Sequence, residues 1–395
     1  MDWQLGSAGF LSTKNRGFGS EDVEKIKVMN VFGTRPEAIK MAPLIKELER
    51  NNQIDSKVCV TAQHREMLDQ VLELFNIKPD YDLNIMKSKQ SLSSITTSVL
   101  TSLEEIFAKE VPDVVLVHGD TTTTFAASLA AFYNKIKVGH VEAGLRSYDK
   151  YFPFPEEMNR RLTGTLADLH FAPTVRSKDN LLKEGISEDK IFITGNTVID
   201  AMNYTVEENY VFNNDKLNSI DYNKKIIMVT AHRRENWGEG IENICKSILE
   251  IKKENEDVEI IYLVHLNPIV KDTVLRYLDG VEGIHLLPPL DTKETHNLMK
   301  KCYFIMTDSG GIQEEAPHLG KPVLVLRDVT ERVEAVEAGT VKMVGTNKQN
   351  IIRDANILLN SEKDYYSMSK AINPYGDGKA SIRIVENIIK FFKSE

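Results

Sequence analysis

"TDSGGIQEEAPHLGKPVLVL", residues 307–326, follows the buried-strand pattern "YFIMT" and runs into a second apolar strand pattern, "PVLVL". Between them stand a pair of adjacent glycines, a pair of adjacent glutamates and a helical segment. Gly310 and Gly311 permit φ values and close backbone approaches closed to other residues. A helix opening at this point aims free amide N–H groups at an anion, with phosphate the natural occupant. Glu314 and Glu315, a turn later, would repel phosphate but suit the hydroxyls of a ribose beside it. A Ser309 cap with acidic first-turn residues accounts for the same pattern without any ligand. Pro317 predicts a kink or restart of the helix. Gly320-Lys321-Pro322 predicts its stop. Strand, crossover helix and strand form the unit of a parallel α/β sheet.

The rest of the chain repeats that unit. "IKVMNVFG" (26–33), "KVCVTA" (57–62), "DVVLVHGD" (113–120) and "KVGHVEAG" (137–144) alternate with helical patterns. The alternation restarts with "KIIMVTAH" (225–232), "EIIYLVHL" (259–266), "GIHLLPPL" (283–290) and "TVKMVG" (340–345). The polar segment 203–225 separates the two series. The expected fold is α/β, with two doubly wound parallel-sheet, Rossmann-like domains facing a central cleft. The expected domains are 25–196 and 197–380. Residues 1–24, which lack periodicity and a secretory apolar core, read as a leader or tail outside the fold.

Composition narrows the function. The 395 residues carry 58 acidic and 49 basic side chains, a net charge of −9, so the global basic footprint of a nucleic-acid binder is absent. No apolar run reaches about 18 residues, which argues against a membrane span. Cys59, Cys245 and Cys302 are odd in number and widely spaced. They read as reduced, buried thiols of a cytoplasmic enzyme.

In parallel sheets, ligands bind beyond the carboxyl ends of the strands. Those ends here are rich in charge. Arg35 and Lys40 follow the first strand, and Arg35 can grip phosphate with its planar fork. Asp120 and Glu142 end two later strands, and Glu156 opens the next helix. Such clustered carboxylates suit proton transfer, although Asp120 also fits a helix cap and Glu156 with Arg160 a surface i,i+4 pair. His232, beside Arg233 and Arg234, suits stabilisation of developing negative charge. The histidines lack metal-ligand spacing, so no metal is expected. G-x-G-x-x-G, G-x-x-x-x-G-K-[ST] and G-x-S-x-G are all absent, which argues against a dinucleotide redox site, a P-loop and a serine hydrolase.

The ordered set "FGTRPEAIKMAPLI", "HGDTTTT", "VEAGLRS", "PEEMNR", "HRREN", "VHLNP" and "DSGGIQEEAPHLGKPVLVLR" closely resembles the bacterial non-hydrolysing UDP-N-acetylglucosamine 2-epimerases. The resemblance runs from about residue 26 to the C-terminus. It implies a two-domain, glycosyltransferase-B type fold and a homodimer. It also implies a C-terminal helix, about 381–395, returning to the first domain. The implied reaction interconverts UDP-GlcNAc and UDP-ManNAc without a cofactor, by elimination of UDP and its re-addition to 2-acetamidoglucal. A hydrolysing relative, or a nucleotide-sugar binding or glycosyl-transferring protein, remains the alternative. By matching motif, Asp120, Glu142 and Glu156 are implied as acid–base groups and His232 as the stabiliser of departing UDP. Arg35, Lys40, Ser309, Gly310 and Gly311 are implied to hold phosphates and Glu315 the ribose, with Arg160 and Arg332 in support. A second, activating UDP-GlcNAc would meet Gln63, Glu66 and His265. At that second site Glu66 and Lys89 depart from the family's Gln and Arg, and Val333 replaces a proline near the nucleotide.

Overall fold

The computed structural model describes residues 24–62, 65–85 and 90–394. The expected leader lies outside the described residues, apart from residue 24. Among the described residues, thirteen strands form two fully parallel sheets. The first sheet comprises β1 (Ile26–Phe32), β2 (Ile54–Val60), β3 (Tyr81–Asp82), β4 (Val114–His118), β5 (Lys137–Val141), β6 (Leu169–Ala172) and β7 (Ile191–Ile193). Its order is β3-β2-β1-β4-β5-β6-β7. The second comprises β8 (Lys225–Thr230), β9 (Val258–Leu263), β10 (Ile284–Leu287), β11 (Phe304–Thr307), β12 (Val323–Val325) and β13 (Val341–Met343), in the order β10-β9-β8-β11-β12-β13.

These strands are almost continuously apolar because helices cover both faces. Alternate residues therefore enter opposite cores. In β1, Val28 and Phe32 pack on one side while Met29 and Val31 pack on the other. In β8, Ile227 and Val229 face one core and Ile226 and Met228 the other. The covering helices show the matching stripe: the helix Glu239–Glu254 buries Ile241, Ile244, Cys245, Ile248 and Ile251 at helical spacing. The helix Ala380–Ser394 buries Ile384, Val385 and Ile388 in the core that also holds Val28 and Leu44 of the first half. All three cysteines are buried and free. Among the described residues, no helix is long and apolar enough to cross a membrane.

The helix opening at Gly310 breaks as Pro317 requires. An α-helix over Gly310–Glu315 passes into a 3-10 turn, Ala316–Leu319, and Gly320 closes it in the left-handed region at φ 66°. Strand order then decides where a ligand can sit. In each sheet the winding reverses between two central neighbours, β1 and β4 in the first and β8 and β11 in the second. Crevices open beyond the carboxyl ends of strands at such reversals. The residues placed there are Gly33–Lys40 with His118–Asp120, and His232–Arg233 with Asp308–Gly311. Two doubly wound domains of this kind constitute a glycosyltransferase-B type fold.

Candidate active site

The first wall is built on a buried carboxylate. Glu37 accepts the backbone N–H groups of Gly33 (3.1 Å) and Thr34 (2.8 Å) and the Thr121 hydroxyl (2.7 Å). It thereby ties the turn after β1 to the turn after β4. Asp120, in that second turn, meets Arg160 at 2.5 Å, and its carbonyl accepts from Asn159 at 3.0 Å. Glu157, in the helix Glu156–Leu166, is fully buried and accepts the N–H groups of Ser147 (2.9 Å) and Tyr148 (3.2 Å), which anchors the segment before that helix. Arg160 thus faces Asp120 and Glu157, where the sequence suggested an i,i+4 pair with Glu156. The reason is packing: the buried neighbour Glu157, three residues before Arg160, turns that helix face inward. Glu156 lies at the helix start, half-buried.

Glu142 follows β5 with φ at 63°, a left-handed conformation that a glutamate adopts only under constraint. The constraint is visible around its carboxylate. Lys40 pairs with Oε2, Asn196 donates to the same oxygen at 2.8 Å, and His118 Nε2 stands 3.9 Å away. A Cβ added at Gly119 would lie 3.7 Å from Glu142 Oε1, so Asp120 and Glu142 belong to adjoining turns of one wall.

The second wall turns on Asp308, which is fully buried. Its Oδ2 accepts the backbone N–H groups of His232 and Arg233, both at 2.7 Å, and the Asn236 amide at 3.1 Å. Its Oδ1 lies 3.5 Å from His232 Nδ1. The His232 ring also stacks on His265, with centroids 5.2 Å apart and planes at 12°. Next in the chain, Ser309 stands at the helix N-cap, but its side chain makes no cap hydrogen bond. Gly310 lies under the Arg332 guanidinium; a Cβ there would come within 3.2 Å of Arg332 Cζ. Arg332 donates to Glu314 at 2.8 Å, and Glu315 sits 3.5 Å from His296 Nε2.

The electrostatics follow from burial and pairing. Burial works to raise the pKa of Glu142, but the charges of Lys40 and His118, with the hydrogen bond from Lys40, outweigh it and hold the carboxyl down to about 2. Lys40 is raised: Glu142 and Glu314 overcome its own desolvation. Burial raises Glu314 despite Arg332 and Lys40, and burial raises Glu37 despite its hydrogen bonds. Burial lowers His118 to about 4 and lowers His232, in each case against a nearby carboxylate. The site therefore holds an ionised Glu142 beside a neutral His118 at neutral pH.

The structure thus assembles Lys40, Asp120, Glu142 and Arg160 on one wall and His232, His265, Ser309, Gly310, Glu315 and Arg332 on the other. Lys40 contacts Glu142 directly. Arg35 lines a cleft of about 650 Å³ with Tyr210, Asn213, Asp291 and Lys293, whose walls do not include Lys40 or Glu142. Gln63 and the side chain of Glu66 lie outside the described residues, as does Lys89. Among the described residues, no cluster of His, Cys, Asp or Glu is arranged to hold a metal ion. Sequence reading gave no role to Glu37, Asp308 or Asn196, and offered Glu314 to ribose hydroxyls where the folded chain pairs it with Arg332. Asp308 and Glu314 carried a signal in their position at a glycine-rich strand end. Asn196 follows β7, a strand of three residues too short to show a period.

The UDP-N-acetylglucosamine 2-epimerase family model matches residues 46–389. A Clostridium acetobutylicum protein is 71% identical over 371 residues, 94% of this chain and 96% of its own length. The UDP-N-acetylglucosamine 2-epimerase of Bacillus subtilis is 59% identical over 367 residues, 93% of this chain and 96% of its own. The crystal structure of UDP-GlcNAc 2-epimerase from Neisseria meningitidis bound to UDP-GlcNAc superposes with a TM-score of 0.82 at 57% identity, covering 92% of this chain and 100% of that one. The chain belongs to the UDP-N-acetylglucosamine 2-epimerase family.

Proposed function

We propose that this protein interconverts UDP-GlcNAc and UDP-ManNAc by breaking and remaking the bond between the sugar and UDP. The stereocentre at sugar carbon 2 bears an acetamido group and no adjacent carbonyl, so its proton is not acidic enough for simple removal and return. Elimination solves this. A carboxylate takes the carbon 2 proton while the anomeric C–O bond breaks, and that electron pair leaves with UDP. The product is 2-acetamidoglucal. Reprotonation of carbon 2 from the other face and addition of UDP oxygen to carbon 1 give the epimer, with atoms and charge conserved. The chemistry needs acid–base carboxylates and a firm hold on detached UDP. Asp120, Glu142 and Glu156 fill the first role. Ser309, Gly310 and Gly311, with Arg35, Lys40, Arg160 and Arg332, fill the second for the diphosphate and Glu315 for the ribose. Asp308 orients His232 toward departing UDP. The observation that carries the reading is Glu142, kept ionised by Lys40 in a left-handed turn that opens beside Asp120.

The wider reading follows the same family. Residues 25–196 and 197–380 act as the two lobes. The enzyme works in the cytoplasm as a homodimer, for which exposed Phe132, Tyr133 and Leu162 supply apolar surface. A second UDP-GlcNAc reaching Gln63, Glu66 and His265 would be felt at the active site, because His265 stacks on His232. The test of the central reaction is incubation with UDP-GlcNAc in deuterium oxide. UDP-ManNAc should form with one solvent deuterium at carbon 2. Epimer carrying only protium at that carbon, or free ManNAc accumulating as fast as epimer, would exclude the proposal.

A further inference from the structure

The two halves of the chain meet where Gly195–Asn196 passes Tyr375–Gly376. Gly195 (φ 89°) and Gly376 (φ 124°) lie against each other, and a Cβ on Gly195 would come within 3.3 Å of Gly376 Cα. The Asn196 N–H donates to the Tyr375 carbonyl at 2.7 Å, which pins one crossing to the other. Asn196 is 3% exposed and caps the helix Thr197–Thr205, its Oδ1 accepting from Val198 N at 3.1 Å. That cap fixes which way the side-chain amide points: the oxygen is committed to the helix, and the NH2 faces the cleft. There Nδ2 lies 2.8 Å from Glu142 Oε2 in the first half and 3.2 Å from Glu314 Oε2 in the second. Each carboxylate has its own cation, Lys40 for Glu142 and Arg332 for Glu314.

Carboxylates are acceptors only, and two of them brought together repel. A primary amide supplies two N–H donors without adding charge. We infer that Asn196 is a positioning residue for the epimerisation, one that locks Glu142 to Glu314 across the junction of the two lobes and so fixes the aim of Glu142. The inference rests on the proposed function, because it assigns Glu142 a reacting proton.

The discriminating experiment compares wild type with Asn196→Asp and Asn196→Ser, assaying kcat and KM for UDP-GlcNAc against pH. Both replacements keep an oxygen able to cap Val198, so the helix start survives. The aspartate replaces the two donors with an anion facing Glu142, which already answers to Lys40, His118, Arg332 and Glu314. For Asn196→Asp, kcat should fall about 30-fold, the loss of hydrogen bonds to charged groups. KM should stay within about threefold, since no substrate contact is removed. The acid limb of the kcat profile should move to higher pH, because added negative charge raises the pH at which Glu142 protonates. Asn196→Ser should lower kcat with a smaller displacement of that limb. Variants matching wild type in kcat and acid limb would overturn the assignment. So would a loss of kcat with an unmoved acid limb in both, which is what a merely weakened junction produces. A wild-type protein that fails to epimerise would instead remove the proposed function itself, a distinguishable result.

Discussion

Replacing Glu142 by Gln should lower kcat for UDP-GlcNAc epimerisation by about 10²–10⁴-fold, the usual range for loss of a positioned acid–base group. The amide cannot take up a proton from carbon 2 or return one. It also takes from Lys40 its hydrogen-bonded partner in a largely buried site, leaving only the Glu314 carboxylate to answer its charge. Breaking a buried ion pair from one side destabilises proteins by about 3–5 kcal/mol, so the melting temperature should fall as well. The double change Glu142→Gln with Lys40→Met separates the two effects. Removing both charges should recover most of the stability, because no lone charge remains buried, and none of the activity. Differential scanning calorimetry and a coupled epimerase assay read the two quantities independently. A single variant that keeps kcat within about threefold of wild type would remove Glu142 from the acid–base role.

Acidification should destabilise the folded protein well before its carboxylates titrate in bulk. His118, His140 and His170 are buried, and burial lowers them from 6.5 to about 4, 3 and 4 respectively. His118, at the end of β4, faces Glu142, and His140, in β5, donates at 2.7 Å to the carbonyl of Gly119 in the turn that carries Asp120. The unfolded chain binds these three protons near pH 6.5, whereas the folded chain does not until about pH 4 or below. Their contribution to stability is therefore complete above pH 6.5 and is lost as pH falls toward 4, at up to about 1.4 kcal/mol per pH unit for each histidine. Glu142, held at about 2, adds a loss in the same direction below its unfolded value of 4.5. Glu37 and Glu314, both raised by burial, oppose it, since their protonation relieves the folded state. Urea midpoints should hold between pH 7.5 and 6.5 and decline from there to pH 5, and His170→Gln should make that decline shallower, by less than a third because His232 and His318 are lowered as well. A midpoint constant over that interval contradicts this account of the buried histidines.

The fold was legible wherever strands were long enough to show their chemistry. β1, β8 and β9 hold six or seven residues, mostly β-branched or aliphatic, and each announces itself between helical patterns. β3, β6 and β7, with two to four residues, do not, and the first sheet came out of the sequence three strands short. The same shortfall hid Asn196, because its position beyond a strand end could not be recognised without β7. Strand-end reasoning brought Asp120, Glu142, His232 and Ser309 to the right edges. It could not state their partners, since partnership depends on how two halves far apart in the chain meet. Lys40 illustrates this: spacing placed it a turn beyond Arg35, but only the folded chain shows it against Glu142. Arg160 illustrates the opposite error, in which a local i,i+4 pairing gave way to Asp120 from a different loop.

The central claim is that UDP is detached, retained between the lobes and rejoined. Positional isotope exchange tests it most directly. UDP-GlcNAc is prepared with oxygen-18 in the bridge between the anomeric carbon and the β-phosphorus, and recovered after partial turnover. The account predicts that label spreads into the non-bridging β-phosphoryl oxygens at a rate comparable to epimerisation, because freed UDP can rotate its terminal phosphate before re-adding. UDP-ManNAc that accumulates with all of its label still in the bridge, alongside unscrambled UDP-GlcNAc, would contradict it.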